Sequence, residues 1–168
     1  DAGIGKSRLL FEFENWLELK TISIRFFKGR ASPQMQHLPY ALLRDVFAFR
    51  FQIRETDAPA VARQKFEDGI CAEFAEQGAI RAHWIGQLLG FDFGGSPYLQ
   101  GLDAQQLRDR AVIALKEFLC AAANRPMVLF LEDIHWADDS SLALLAALFS
   151  TPLSIPLLVV CLTRPTLF

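Results

Sequence analysis

A chain of 168 residues with 52% hydrophobic and 21% charged residues has the apolar mass for one packed core, which excludes a disordered chain. A formal net charge of −2 excludes the chain-wide basic surface of a nucleic-acid or membrane-surface binder. No apolar run reaches the ~18 residues of a membrane span. The three cysteines, Cys71, Cys120 and Cys161, are too scattered for a disulfide framework or a C-x-x-C pair. They read as buried or half-buried thiols of a cytoplasmic protein.

In chain order, Leu9, Leu10, Phe13, Trp16 and Leu17 recur at three- and four-residue spacing, with Arg8, Glu12, Glu14 and Glu18 opposite. That pattern predicts a helix over about residues 5–20. Residues 21–28 alternate and are rich in β-formers (Ile22, Ile24, Phe26, Phe27), which predicts a strand. Residues 29–38 form a polar loop containing Pro33, and Pro39 opens a helix carrying Leu42, Leu43, Val46 and Phe47. Two helical pieces separated by Gly78 follow over 56–89, with Val61, Phe66, Ile70 and Phe74 in the first and Ile80, Trp84, Ile85 and Leu88 in the second. The glycines between 90 and 101 mark a loop. Residues 103–124 are one long helix with Leu107, Ala111, Ala114, Leu115, Phe118 and Ala122 on one face. The continuous apolar runs 127–131 and 157–162 are strands, separated by a helix capped by Asp138 or Asp139. Strands apolar on both faces, alternating with helices, indicate an α/β domain with a parallel sheet covered on both sides.

The chain opens with Asp1-Ala2-Gly3-Ile4-Gly5-Lys6-Ser7, the G-x-x-x-x-G-K-[ST] pattern with its first glycine expected one place before Asp1. A phosphate must be met by successive inward-pointing backbone amides, and a Cβ at Gly3 or Gly5 would oppose that turn. The helix that follows turns its partial positive end toward the same phosphates. Lys6 can reach the β- and γ-phosphates, and Ser7 offers its hydroxyl to Mg2+. Such a loop needs an acidic partner at the end of a neighbouring strand. Glu132-Asp133, directly after the strand 127–131, supplies it, with Glu132 in the metal position and Asp133 where a general base would polarise water. Arg164, at the tip of the last strand, is always charged and suited to sense a γ-phosphate. His135 and Trp136 read as an anchor of the loop to the sheet. His37 and His83 have no ligand partner at metal spacing. Arg30 could face a nucleotide, although strand-end arginines are usually solvated.

Together Asp1-Ala2-Gly3-Ile4-Gly5-Lys6-Ser7-Arg8-Leu9, Leu131-Glu132-Asp133-Ile134-His135-Trp136-Ala137-Asp138 and Leu162-Thr163-Arg164-Pro165 resemble the ATPase domain of the STAND class of P-loop NTPases. The similarity is greatest to the AAA-type module of large bacterial regulators. There it follows a class III adenylate/guanylate cyclase domain or precedes a LuxR-type DNA-binding domain, with tetratricopeptide repeats downstream. Ser96-Pro97-Tyr98-Leu99 and Gln106-Leu107-Arg108-Asp109-Arg110-Ala111 are similar to the cyclase-linked branch. The resemblance implies a three-layer αβα sandwich spanning 1–168: a phosphate loop over 1–7, a helical insertion over about 56–124, an acidic strand over 127–133 and a sensor strand over 157–164. It implies a Mg-dependent ATPase acting as a nucleotide-controlled switch. Ala2, Gly3, Ile4, Gly5, Lys6, Ser7, Arg8 and Arg164 would bind ATP or ADP, Ser7 and Glu132 would hold Mg2+, and Lys6, Glu132 and Asp133 would serve catalysis. Its partners would be covalently linked effector domains, with no direct nucleic-acid or membrane contact. The strand before the loop and the helical lid and winged-helix region after residue 168 would lie outside this chain. Glu132 is one methylene longer than the aspartate usual at the metal position. Two other readings are a non-hydrolysing scaffold of the same fold and a phosphotransferase, the latter without the clustered arginines of a basic lid.

Overall fold

The computed structural model describes residues 5–74 and 76–164, and within these the side chains of all but Lys6 and Ser7. The described residues form six α-helices and three strands in the order α1 (Lys6–Glu18), β1 (Arg25–Arg30), α2 (Ala41–Arg50), α3 (Pro59–Cys71), α4 (Gly78–Leu88), α5 (Ala104–Ala122), β2 (Met127–Glu132), α6 (Asp139–Phe149) and β3 (Leu157–Cys161). The strands form one parallel sheet in the order β1-β2-β3, with Arg25 opposite Met127 and Met127 opposite Leu157.

The alternation of side chains along β2 divides the apolar interior in two. Met127, Leu129 and Leu131 face a large cluster with Phe27 of β1 and with Phe47, Phe66, Phe118 and Leu144, contributed by α2, α3, α5 and α6. Val128 and Phe130 face the opposite way and meet Leu10 and Leu17 of α1. This is an α/β three-layer arrangement with a parallel sheet in the middle. No helix among the described residues is long and apolar enough to cross a membrane.

Several elements depart from the pattern read in the sequence. The first strand runs Arg25–Arg30 rather than 21–28, because its limits are set by pairing with β2 and not by local β-propensity. The strand therefore includes Gly29, where a Cβ would lie 2.4 Å from Val46 Cγ2 and 3.2 Å from the Leu42 carbonyl oxygen. Glycine lets α2 lie directly on the sheet. The next helix begins at Ala41, not at Pro39, and Tyr40 precedes it with a φ of 60°. Its leading amides are satisfied from a distance, as described below. On α1 only the stripe Leu10, Phe13, Leu17 reaches the sheet; Leu9 and Trp16, expected on that face, are 71% and 52% exposed. Lys20 covers the Trp16 ring at 3.7 Å from its centroid. Val61 is also exposed rather than in the core. The expectation of a sheet covered on both sides holds for β2, but β3 leaves Leu158 and Cys161 exposed. Cys71 is half-buried, whereas Cys120 and Cys161 are exposed, which corrects the expectation of three sheltered thiols.

Candidate functional site

The orientation of α1 places its beginning at the carboxyl edge of the sheet. Leu17 lines a shallow surface cavity with Ile24 and Phe26, at the amino end of β1. Phe13 meets Phe130 edge-on at 6.1 Å, and Glu14 accepts a 2.9 Å hydrogen bond from Lys28, both farther along the strands. Helix and strands thus run in opposite directions. From Glu14 back to Gly5 the helix extends about 13 Å, while β2 extends about 10 Å from Phe130 to Asp133. The start of α1 and the acidic end of β2 therefore share one edge. Gly5 precedes the helix with φ 86° and ψ 14°, a left-handed conformation, and its carbonyl accepts from Leu9 N at 2.8 Å. That backbone angle calls for glycine, and among the described residues a Cβ there would meet nothing within 4 Å. Arg8 is exposed and paired at 3.8 Å with Glu12. Ala2, Gly3, Ile4 and the side chains of Lys6 and Ser7 lie outside the described residues and side chains.

Both carboxylates of the acidic pair are already engaged by cations from β1. Lys28 Nζ lies 3.3 Å from Glu132 Oε1, and Arg30 Nε donates to Asp133 Oδ2 at 3.1 Å. Strand pairing causes this: Lys28 is level with Phe130 and Arg30 with Glu132, so β1 brings its two basic residues alongside the end of β2. Ala31 N continues the ladder by donating to the Glu132 carbonyl at 2.9 Å. Burial works to lower the Lys28 pKa, but hydrogen bonding and charge attraction from Glu14 and then Glu132 outweigh it and hold it above its ordinary value. Arg30 N in turn donates to Asp45 Oδ2 at 2.8 Å, and partial burial pushes the Asp45 carboxyl up from the usual carboxylate range. Asp133 adopts φ 54° and ψ 37°, which turns the chain out of β2 at once.

The segment after Asp133 is tied down at three points. Ile134 N donates to the Leu162 carbonyl at 3.1 Å, joining it to the residue after β3. Ile134 and Trp136 pack against the large apolar cluster, so the anchoring role read for Trp136 is what the structure shows. Asp138, 3% exposed, accepts from Ser141 N at 2.8 Å and thereby caps α6. The same carboxylate accepts from Tyr40 N at 2.8 Å and Leu42 N at 3.4 Å. One buried side chain thus satisfies the leading amides of two helices that are remote in sequence. Both ring nitrogens of His135 are buried without a hydrogen-bond partner among the described residues. Arg164, exposed, follows β3 two residues beyond Leu162 and so lies at the same sheet edge.

A divalent cation would meet hard oxygen donors here, since Glu132 and Asp133 each retain one carboxylate oxygen without a described partner. Among the described residues no group of three or more His, Cys, Asp or Glu is arranged to hold a metal by itself. Mg2+ suits such a sparse set, because it usually takes one or two carboxylates and fills its octahedron with phosphate oxygens and water. The donors present fit that ion.

Sequence reasoning missed Lys28 and the double role of Asp138. For Lys28 the signal was available in its period-two placement with Phe26. For Asp138 none was, because its second set of donors is almost a hundred residues away. It also missed a line formed in space, in which His83 Nδ1 lies 2.6 Å from Ser96 Oγ and Nε2 lies 3.1 Å from Glu67 Oε1. Ser96 is 8% exposed and caps Tyr98 N, so this line ties α3, α4 and the loop after α4 together.

Residues 1–160 match the family model described as AAA ATPase domain. Over 169 aligned residues the chain is 28% identical to Uncharacterized protein R02095 of Rhizobium meliloti (strain 1021), covering 99% of this chain and 16% of that protein. No solved structure matches it.

Proposed function

The chain belongs to the AAA ATPase domain family, and from that premise we propose that it binds ATP and ADP with Mg2+ at the carboxyl edge of its sheet and works as a slowly hydrolysing, nucleotide-controlled switch. The observation that carries this reading is the shared edge: a helix introduced by a left-handed glycine begins where a buried strand ends in two carboxylates. The backbone amides of Ala2, Gly3, Ile4, Gly5, Lys6 and Ser7, with Arg8 beside them, cradle the phosphates. Lys6 meets the β- and γ-phosphates, while Ser7 and Glu132 hold the metal. Bound Mg2+ would neutralise charge on the phosphate oxygens. Asp133 orients and polarises the water that attacks the γ-phosphorus, giving ADP and phosphate. Arg164, at the neighbouring strand end, senses whether the γ-phosphate is present. Arg30 holds Asp133 through its guanidinium and so sets the direction of that carboxylate. Turnover is slow in this reading because an arginine finger from another element, worth about 10³–10⁵ in rate in related chemistry, is not part of the arrangement described.

The wider context is a STAND-class regulator of the cytoplasm. The domain would be covalently linked to a cyclase or a LuxR-type DNA-binding domain and to tetratricopeptide repeats, with no direct nucleic-acid binding of its own. The large size of the Rhizobium meliloti relative supports a multidomain parent. A second reading, a non-hydrolysing scaffold of the same fold, is favoured by one observation: both carboxylates are internally neutralised. Calorimetric titration with Mg·ATP separates the two. Saturable binding that is lost in Lys6→Ala supports the switch. Wild-type protein with no saturable binding supports the scaffold, and an affinity unchanged by Lys6→Ala removes the proposed phosphate loop.

A further inference from the structure

Lys28 stands between the helix that begins at Gly5 and the strand that ends at Glu132. Its ammonium is 2.9 Å from Glu14 Oε1 and 3.3 Å from Glu132 Oε1, with the three side chains 30%, 22% and 12% exposed. On β1 it shares a face with Phe26, and the residues level with these two on β2, Phe130 and Val128, belong to the small cluster under α1. Glu132 follows Phe130 at a spacing of two, so its side chain emerges on the same face. One cation therefore serves two carboxylates on two elements, and the shorter contact is to Glu14.

A carboxylate as enclosed as Glu132 is costly without a counter-charge. In the absence of a divalent ion Lys28 supplies it. A metal approaching Glu132 must share that carboxylate with the ammonium or displace it. Glu14 then matters, because it is the nearer partner and leaves a displaced ammonium hydrogen-bonded rather than stranded. We propose that Lys28 is a positioning residue that guards the metal-facing carboxylate, yielding Glu132 to a divalent cation while Glu14 retains the ammonium. The inference rests on the reading of Glu132 as a metal ligand. It adds that the metal requirement is set by β1 and α1 and not by the acidic pair alone. It also gives metal arrival a structural consequence, since the link between α1 and β2 through Lys28 is broken when Glu132 changes partner.

The test uses the whole chain and Mn2+ as the probe, with free Mn2+ followed by electron paramagnetic resonance in the absence of nucleotide. Lys28→Met should bind Mn2+ roughly five- to tenfold more tightly than wild type, the range set by losing a partly screened competing charge. It should also melt lower than wild type in chelator and recover on addition of Mn2+. A side chain that merely holds α1 in place predicts the opposite change in metal affinity, with stability and Mn2+ binding falling together. Glu14→Gln leaves Glu132 intact and deprives Lys28 of its second partner, so Mn2+ affinity should fall about threefold while the fold persists. That variant decides the matter if Lys28→Met fails to fold. Unchanged Mn2+ affinity in Glu14→Gln, or equal or weaker Mn2+ binding by folded Lys28→Met, overturns the role of Lys28. Neither result touches the nucleotide reading, which falls separately if wild-type chain shows no saturable Mg·ATP binding or if Lys6→Ala leaves that affinity unchanged.

Discussion

The two faces of the sheet are built very differently. One is covered by α2, α5 and α6, with α3 and α4 stacked beyond them, and Phe66 at its centre touches the rings of Phe47, Phe51, Phe91 and Phe93. Among the described residues the other is covered by α1 alone, whose buried contribution is Leu10 and Leu17. Yet the residues with chemical potential, Gly5, Glu14, Lys28 and Glu132, gather on that thin side. Stability is concentrated on one face and the candidate chemistry on the other. A helix held by few contacts can shift at small cost when charges beneath it change partner, which suits the proposed switch.

The contrast can be broken by substitution, starting with the largest effect. Phe66→Ala should cost about 3–5 kcal/mol in urea unfolding, because a wholly enclosed ring leaves a cavity its neighbours cannot fill. It should leave nucleotide affinity in the surviving folded fraction unchanged. Asp138→Ala should cost about 2–3 kcal/mol, since it strips buried amides of two helices of their acceptor. Leu17→Ala should cost about 2 kcal/mol, less than the phenylalanine because fewer groups enclose it. Unlike Phe66→Ala it should also weaken Mg·ATP binding by displacing α1. Leu9→Ser, on the exposed side of the same helix, should stay within about 0.5 kcal/mol of wild type. If Leu17→Ala destabilised more than Phe66→Ala, or left nucleotide binding untouched, the division of labour between faces would be wrong.

The elements that could be read from the sequence are those whose limits are set locally. The run from Met127 to Leu131 is apolar at every position because β2 is buried on both faces, and it ends where Glu132 begins. Asp103 and Gln106 close a reciprocal cap, so the start of α5 was legible from four residues. The first strand was misplaced because its register depends on Met127 and its neighbours, about a hundred residues away. The start of α2 was misplaced because Pro39 looked like a helix opener, whereas the acceptor that fixes the helix is Asp138. Within the candidate site the glycines and acidic pair stood out by composition. Of the cations that face that pair, Arg30 was legible as a strand-end residue that could face a nucleotide and Lys28 was passed over; their pairing with Asp133 and Glu132 emerges only when β1 is laid beside β2.

In the proposed site the start of α1 and the end of β2 act on one bound triphosphate. A double-mutant cycle on Mg·ATP affinity, using Lys6→Ala and Glu132→Gln, tests it most directly. Two groups that meet through a shared metal–phosphate unit should show effects that fail to add by about 1 kcal/mol or more. Effects that add within about 0.3 kcal/mol would mean that the two groups act at separate places and share no triphosphate.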